Sequence, residues 1–200
     1  MPWIAMGEGY VWVADTDARP QDAEALAGRV VHWLEEQGVV AGELTHCLLG
    51  DELGRAPGPR YAHALGAHDG AFALMGGANG VSVDIERRVY VCVDIWTARC
   101  PHCAARTEES AADGHGRWTD EWLPLLDALY AWFGGSGPDH ASCVRCGRQA
   151  GFIDWNFSPP VAVAQLGLTF WNWPMLSAAF LAELSAVLDG HRLVAARTRV

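Results

Sequence analysis

Two Cys-x-x-Cys turns, Cys100-Pro-His-Cys103 and Cys143-Val-Arg-Cys146, punctuate this chain with 39 residues between them. A fold that uses them has to bring both turns to one place. Each turn presents two thiolates at the separation a tetrahedral zinc ion requires, and two turns complete the coordination shell. A complete shell leaves no open position for substrate. The spacing therefore predicts a structural Zn2+ held by Cys100, Cys103, Cys143 and Cys146. A redox dithiol, a catalytic zinc and disulfide pairing are the alternative readings of the same residues. His102 lies inside the first turn, where it either replaces a sulfur ligand or, as expected here, points to solvent.

Composition narrows these readings. With 200 residues, 50% of them hydrophobic, the chain is expected to fold as one α+β domain over 1–200, burying roughly 70% of its unfolded surface without the help of disulfides. The opening residues, Met1 to Glu8, have neither a basic start nor a continuous apolar stretch, so no secretory signal is expected. The richest apolar run, Leu123 to Phe133, is too short to span a bilayer. These features predict a cytoplasmic protein with no membrane partner. In a reducing compartment six cysteines divide into four metal ligands and two buried thiols, Cys47 and Cys92.

Fourteen Arg and no Lys face 24 acidic residues, for a formal charge of −10. Nucleic-acid binding draws most of its affinity from concentrated positive charge, and here only Arg87-Arg88 and the group Arg192, Arg197 and Arg199 cluster at all. No nucleic-acid partner is expected. The absence of Lys beside abundant Ala, Gly and Arg matches the codon bias of a high-GC bacterium.

Periodicity sketches the elements. Tyr10 to Ala14 reads as a strand, and Ala23, Leu26, Ala27, Val30, Trp33 and Leu34 share one face of a helix from about Pro20 to Gln37, ended by Gly38. Residues 50–70 read as a long loop. Phe72–Met75 and Val81–Ile85 flank an Asn-Gly turn, and the alternation resumes from Val89 to Ile95. Between the cysteine pairs a polar stretch precedes a helix from about Trp122 to Phe133, apolar around most of its circumference and so expected to be largely buried, followed by a flexible Gly134-Gly135-Ser136-Gly137 connector. Gly151–Phe157 and Val161–Trp171 read as strands, Pro174 to about Leu188 as a helix with Phe180, Leu184 and Val187 inward, and Leu193–Val200 as a closing strand. The order predicts an α+β fold: a mixed or antiparallel sheet, about three helices, and a zinc-clamped helical excursion at about 100–146.

Cys143-Val-Arg-Cys146-Gly147 resembles a zinc-ribbon knuckle, in which the glycine permits a left-handed turn and backbone N–H groups point at sulfur. The first pair departs from that pattern, because Ala104 stands where the glycine belongs. The resemblance is confined to these turns.

Ten tryptophans run the length of the chain, and most, such as Trp33 and Trp132, read as core. In Phe170-Trp171-Asn172-Trp173-Pro174, strand alternation would place Trp171 and Trp173 on one face, where with Asp154 they make a candidate ligand or partner site. His32, Glu35 and Glu36 have helical metal-site spacing but read equally as a solvated face, and Asp84 and Asp94 as strand carboxylates. No nucleophile elbow, phosphate loop or dinucleotide fingerprint is present. The expectation is a zinc-stabilised, non-catalytic binding or accessory protein of the bacterial cytoplasm that engages another protein, of immunity type in the sharper form. The alternative is a small-molecule enzyme with a pocket near Trp171, Trp173 and Asp154, in which the zinc is purely structural.

Overall fold

The computed structural model describes residues 9–65, 78–92, 97–108 and 118–199. In chain order the elements are β1 (Gly9–Asp15), α1 (Ala23–Glu36), β2 (Val40–Thr45), β3 (Gly54–Pro57), β4 (Val81–Asp84), β5 (Arg88–Val91), β6 (Thr97–Arg99), β7 (Arg106–Glu108), α2 (Leu123–Phe133), β8 (His140–Ser142), β9 (Gln149–Gly151), β10 (Asn156–Ser158), β11 (Val161–Ala164), β12 (Leu166–Trp171), α3 (Ala178–Val187) and β13 (Leu193–Arg199). This is an α+β chain with three α-helices among the described residues, and every strand pairing among them is antiparallel. It divides into two compact units, residues 1–86 with 165–200, and residues 87–164.

The first unit is a six-stranded sheet in the order β13-β1-β12-β4-β3-β2. Its core gathers Val11 and Val13 of β1, Leu166, Leu168 and Phe170 of β12, and the inner faces of α1 and α3. Alternation sends Val11 and Val13 to that core, and the predicted 3.6-residue stripe of α1 meets them through Leu26, Val30 and Leu34. Gly38 ends α1 at φ +67°, in a left-handed turn that a side chain would strain. α3 begins later than Pro174 suggests, because Ser177 caps it: its Oγ accepts the Phe180 N–H at 3.1 Å.

Asp15, fully buried at the end of β1, orders the turn into α1. Its Oδ1 accepts the N–H groups of Asp17 at 3.0 Å and Ala18 at 3.1 Å, and its Oδ2 lies 2.9 Å from His191 Nδ1 on the connection from α3 to β13. The same connection is held by the Arg192 N–H donating to Asp17 Oδ2 at 2.8 Å. These contacts tie the two ends of the sequence to one loop pair.

Part of the expected 50–70 loop is structure. β3 pairs with both β2 and β4, although it holds Gly54 and Pro57 and so lacks a strand composition. Gly54 is required there because a Cβ would stand 2.4 Å from Leu48 Cδ2. Residues 72–75, expected as a strand, lie outside the described residues, as does residue 94. The expected single strand 161–171 is two strands in different sheets: β11 pairs with β5, and β12 with β1 and β4. Gln165 separates them.

The second unit combines a three-stranded sheet in the order β10-β6-β7 with the pairs β5/β11 and β8/β9. Trp122, Leu125, Leu129 and Trp132 of the α2 region join Phe152, Trp155 and Phe157 in its core. Residues 151–157 do not form one strand, because Phe152–Asp154 makes a 3-10 turn between β9 and β10. The outer face of α2 is not buried as expected: Tyr130 is 61% and Phe133 54% exposed. Nor is the following glycine run a slack connector. It folds back on the helix end, with Ser136 and Gly137 N–H groups both donating to the Ala131 carbonyl, at 3.0 and 2.8 Å.

Candidate metal centre

Each cysteine pair forms the turn of a short antiparallel hairpin. Cys100-Pro-His-Cys103 joins β6 to β7, and Cys143-Val-Arg-Cys146 joins β8 to β9. The two turns close with the same bonds. In the first, the Cys100 N–H donates to Ala105 O at 3.0 Å and the Ala104 N–H to Cys100 O at 3.0 Å. In the second, Cys143 N–H donates to Arg148 O at 2.9 Å and Gly147 N–H to Cys143 O at 2.8 Å. The residue after the second cysteine is left-handed in both: Gly147 at φ +70°, and Ala104, despite its methyl group, at φ +59°.

These hairpins bring all four sulfurs within 4.8 Å of one another, a cluster that could hold a metal ion. Cys100 Sγ lies 3.9 Å from Cys146 Sγ, and Cys103 Sγ 3.8 Å from Cys143 Sγ. Cys100 and Cys143, the first cysteine of each pair, are buried and pack in the core with Trp122, Ala141 and Phe152; Cys103 and Cys146 face solvent. Cys47 and Cys92 are buried as expected.

The backbone favours one thiolate in particular. Burial, the largest single influence, opposes ionisation of Cys100, yet the N–H groups of Cys103 and His102 together with the Cys143 and Cys103 thiols outweigh it and lower its pKa to about 6. His102 N–H stands 3.4 Å from the Cys100 sulfur. For Cys103 the Ala105 N–H favours the thiolate, but desolvation and the neighbouring sulfurs push the group up to about 11. A cation beside Cys103 would oppose that rise.

The surroundings hold the hairpins in place. His102 is exposed as predicted, but its Nε2 lies 2.8 Å from the Gln149 carbonyl of the opposite hairpin, so the ring spans the two turns. Arg145 in the second turn pairs with Glu121 at the start of α2, at 3.4 Å. Thr119 ties the same helix start to β7: its Oγ1 donates to Glu108 O at 2.6 Å and accepts the Trp122 N–H at 3.1 Å. Sequence reading missed these contacts, since nothing in a string of residues marks Arg145 for Glu121 or His102 for Gln149.

The candidate tryptophans and helix residues have surroundings of their own. Asn172 adopts φ +57°, which breaks the alternation, so Trp171 and Trp173 do not share a face. Trp173 is fully buried in the first unit's core, edge-on to Phe170 at 5.3 Å, with its Nε1 donating to Asn79 O at 2.8 Å. Trp171 is half-buried beside Tyr10, 5.0 Å between ring centres. Asp154 belongs to the other unit. A ring with both faces packed and its N–H satisfied is a core residue, not a stacking platform. His32, Glu35 and Glu36 also diverge: Glu35 accepts from Arg55 at 2.9 Å, while His32 meets Glu36 at 3.2 Å. Among the described residues the four cysteines are the one group arranged for a metal. No helix among them is long and apolar enough to cross a membrane.

Compared with known protein families, curated proteins and solved structures, the chain matches none.

Proposed function

We propose that Cys100, Cys103, Cys143 and Cys146 hold one structural Zn2+ in a zinc-ribbon-like pair of knuckles, and that the chain works as a non-catalytic binding or accessory protein. The sulfur spacing carries the first part. A tetrahedron of sulfurs about 2.3 Å from zinc has edges of about 3.8 Å, and two of the sulfur pairs, Cys103 with Cys143 and Cys100 with Cys146, stand at 3.8 and 3.9 Å. Four thiolates suit Zn2+ better than a hard cation such as Ca2+ or Mg2+. With four protein ligands the ion has no place for substrate, which makes it a clamp on the second unit.

The binding role draws on charge and on exposed aromatic surface. A formal charge of −10 favours a basic partner, whose approach it would speed and orient. Trp118, Tyr130 and Phe133 present large rings to solvent at 49%, 61% and 54% exposure, the residue type that anchors protein interfaces. In its sharper form the reading is an immunity-type factor of the bacterial cytoplasm that neutralises a basic protein surface. Affinity capture from the native host, followed by native mass spectrometry, tests it. The expected result is one zinc per chain and a basic protein released by raised salt; a lone monomer carrying a retained small molecule would overturn it in favour of an enzyme.

A further inference from the structure

α2 carries two apolar seams. Trp122, Leu125, Leu129 and Trp132, spaced 3, 4, 3, are buried in the second unit's core. One residue further on, Leu123, Leu126, Tyr130 and Phe133 repeat the same spacing on the adjoining face. There Leu123 is 37%, Tyr130 61% and Phe133 54% exposed, with Leu126 only partly buried. Apolar residues spaced 3, 4, 3 form the seam that one helix offers another.

Charge says which helix. The helix itself holds no basic residue; Asp127 lies within one turn of both Leu123 and Tyr130, and Asp120 and Glu121 precede the first turn. Among the described residues two arginines near its ends are engaged, Arg145 with Glu121 at 3.4 Å and Arg87 over the Trp132 ring at 4.8 Å while donating to Trp132 O. A second copy fits poorly. With about half of each aromatic's roughly 200 Å² exposed, the stripe amounts to about 300–400 Å². Two copies face to face would bury under about 800 Å², the size of a weak, transient contact. An antiparallel α2 pair would also bring two Asp127 carboxylates together.

Resting on the binding function proposed above, we infer that the Leu123, Leu126, Tyr130 and Phe133 stripe docks an amphipathic basic helix of a partner protein. The apolar residues of that helix fill the seam, and its basic flanks meet Asp127 and Asp120. The test uses the full chain and a labelled synthetic peptide of about 18 residues, long enough for several helical turns, with leucine at the seam positions and lysine elsewhere. Fluorescence anisotropy should show binding that weakens as salt rises. The double variant Tyr130→Ser/Phe133→Ser, which leaves the charge unchanged, should weaken it at least about tenfold. Leu53→Ser, at a 49% exposed position of the first unit, should not.

Equal binding by the double variant, or equal binding of a leucine and glutamate peptide, overturns the inference. So does a concentration-dependent dimer, or adhesion to neutral phospholipid vesicles, that the double variant abolishes. Host-lysate capture separates this failure from failure of the broader function. A partner retained equally by wild type and double variant removes the stripe and leaves the binding function; peptide binding lost in the variant, with no partner captured, keeps the stripe and removes that function.

Discussion

Ala104 and Gly147 occupy the same place in two copies of one turn, and both are left-handed. At 147 the sequence supplies the residue that tolerates this backbone; at 104 the hairpin imposes it on an alanine, through the Ala104 N–H bond to Cys100 O. Ala104→Gly should therefore raise stability by about 0.5–1 kcal/mol and Gly147→Ala lower it by about 1 kcal/mol, measured by denaturant unfolding of the metal-loaded chain. The four-cysteine cluster was legible because Cys-x-x-Cys is a local pattern. The Trp171 and Trp173 pair was misread because one residue, Asn172 at φ +57°, reverses the alternation. At the cluster, the first thiolate of the metal-free chain should titrate near pH 6, followed by ultraviolet absorbance, and that step should vanish in Cys100→Ser. Because this pKa is lowered, the thiolate's contribution to the metal-free fold is present above the ordinary thiol range and lost as pH falls through about 6. Metal affinity should fall in the same direction, since protons compete for sulfur.

Among the elements, α1 and α3 were legible to within a few residues because one apolar stripe faces one sheet. α2 was legible as a helix but not as a half-exposed one: residues apolar on all sides do not reveal how many neighbours the fold supplies. Its two seams should respond differently. Leu129→Ala empties a buried position and should cost about 2–5 kcal/mol, whereas Tyr130→Ser on the exposed seam should stay within about 0.5 kcal/mol; thermal melts of both variants check this. β3 escaped notice because Gly54 and Pro57 belong to turn vocabulary, and only pairing with β2 and β4 makes them a strand. β11 and β12 were joined because the residues either side of Gln165 are apolar in both.

For the whole molecule, the α+β character followed from the order of periodic segments, which left a mixed or an antiparallel sheet open; the described pairings are antiparallel. The division into two units did not, because the chain passes from β4 to β5 and from β11 to β12 without a linker composition. Each unit has its own core, and Cys100 and Cys143 of the cluster belong to that of residues 87–164. Cys143→Ser should thus lose the metal and destabilise or aggregate the protein. A soluble variant with unchanged melting would show that the cluster is not structural. The most direct measurement is hydrogen exchange by mass spectrometry on the zinc-loaded chain and again after chelation. If the four cysteines clamp the second unit through zinc, chelation removes one zinc per chain and strips protection from β6 to β10 and α2, while β1, β12 and α1 keep theirs. Identical protection with and without metal, or a chain that never takes up zinc, would contradict that role.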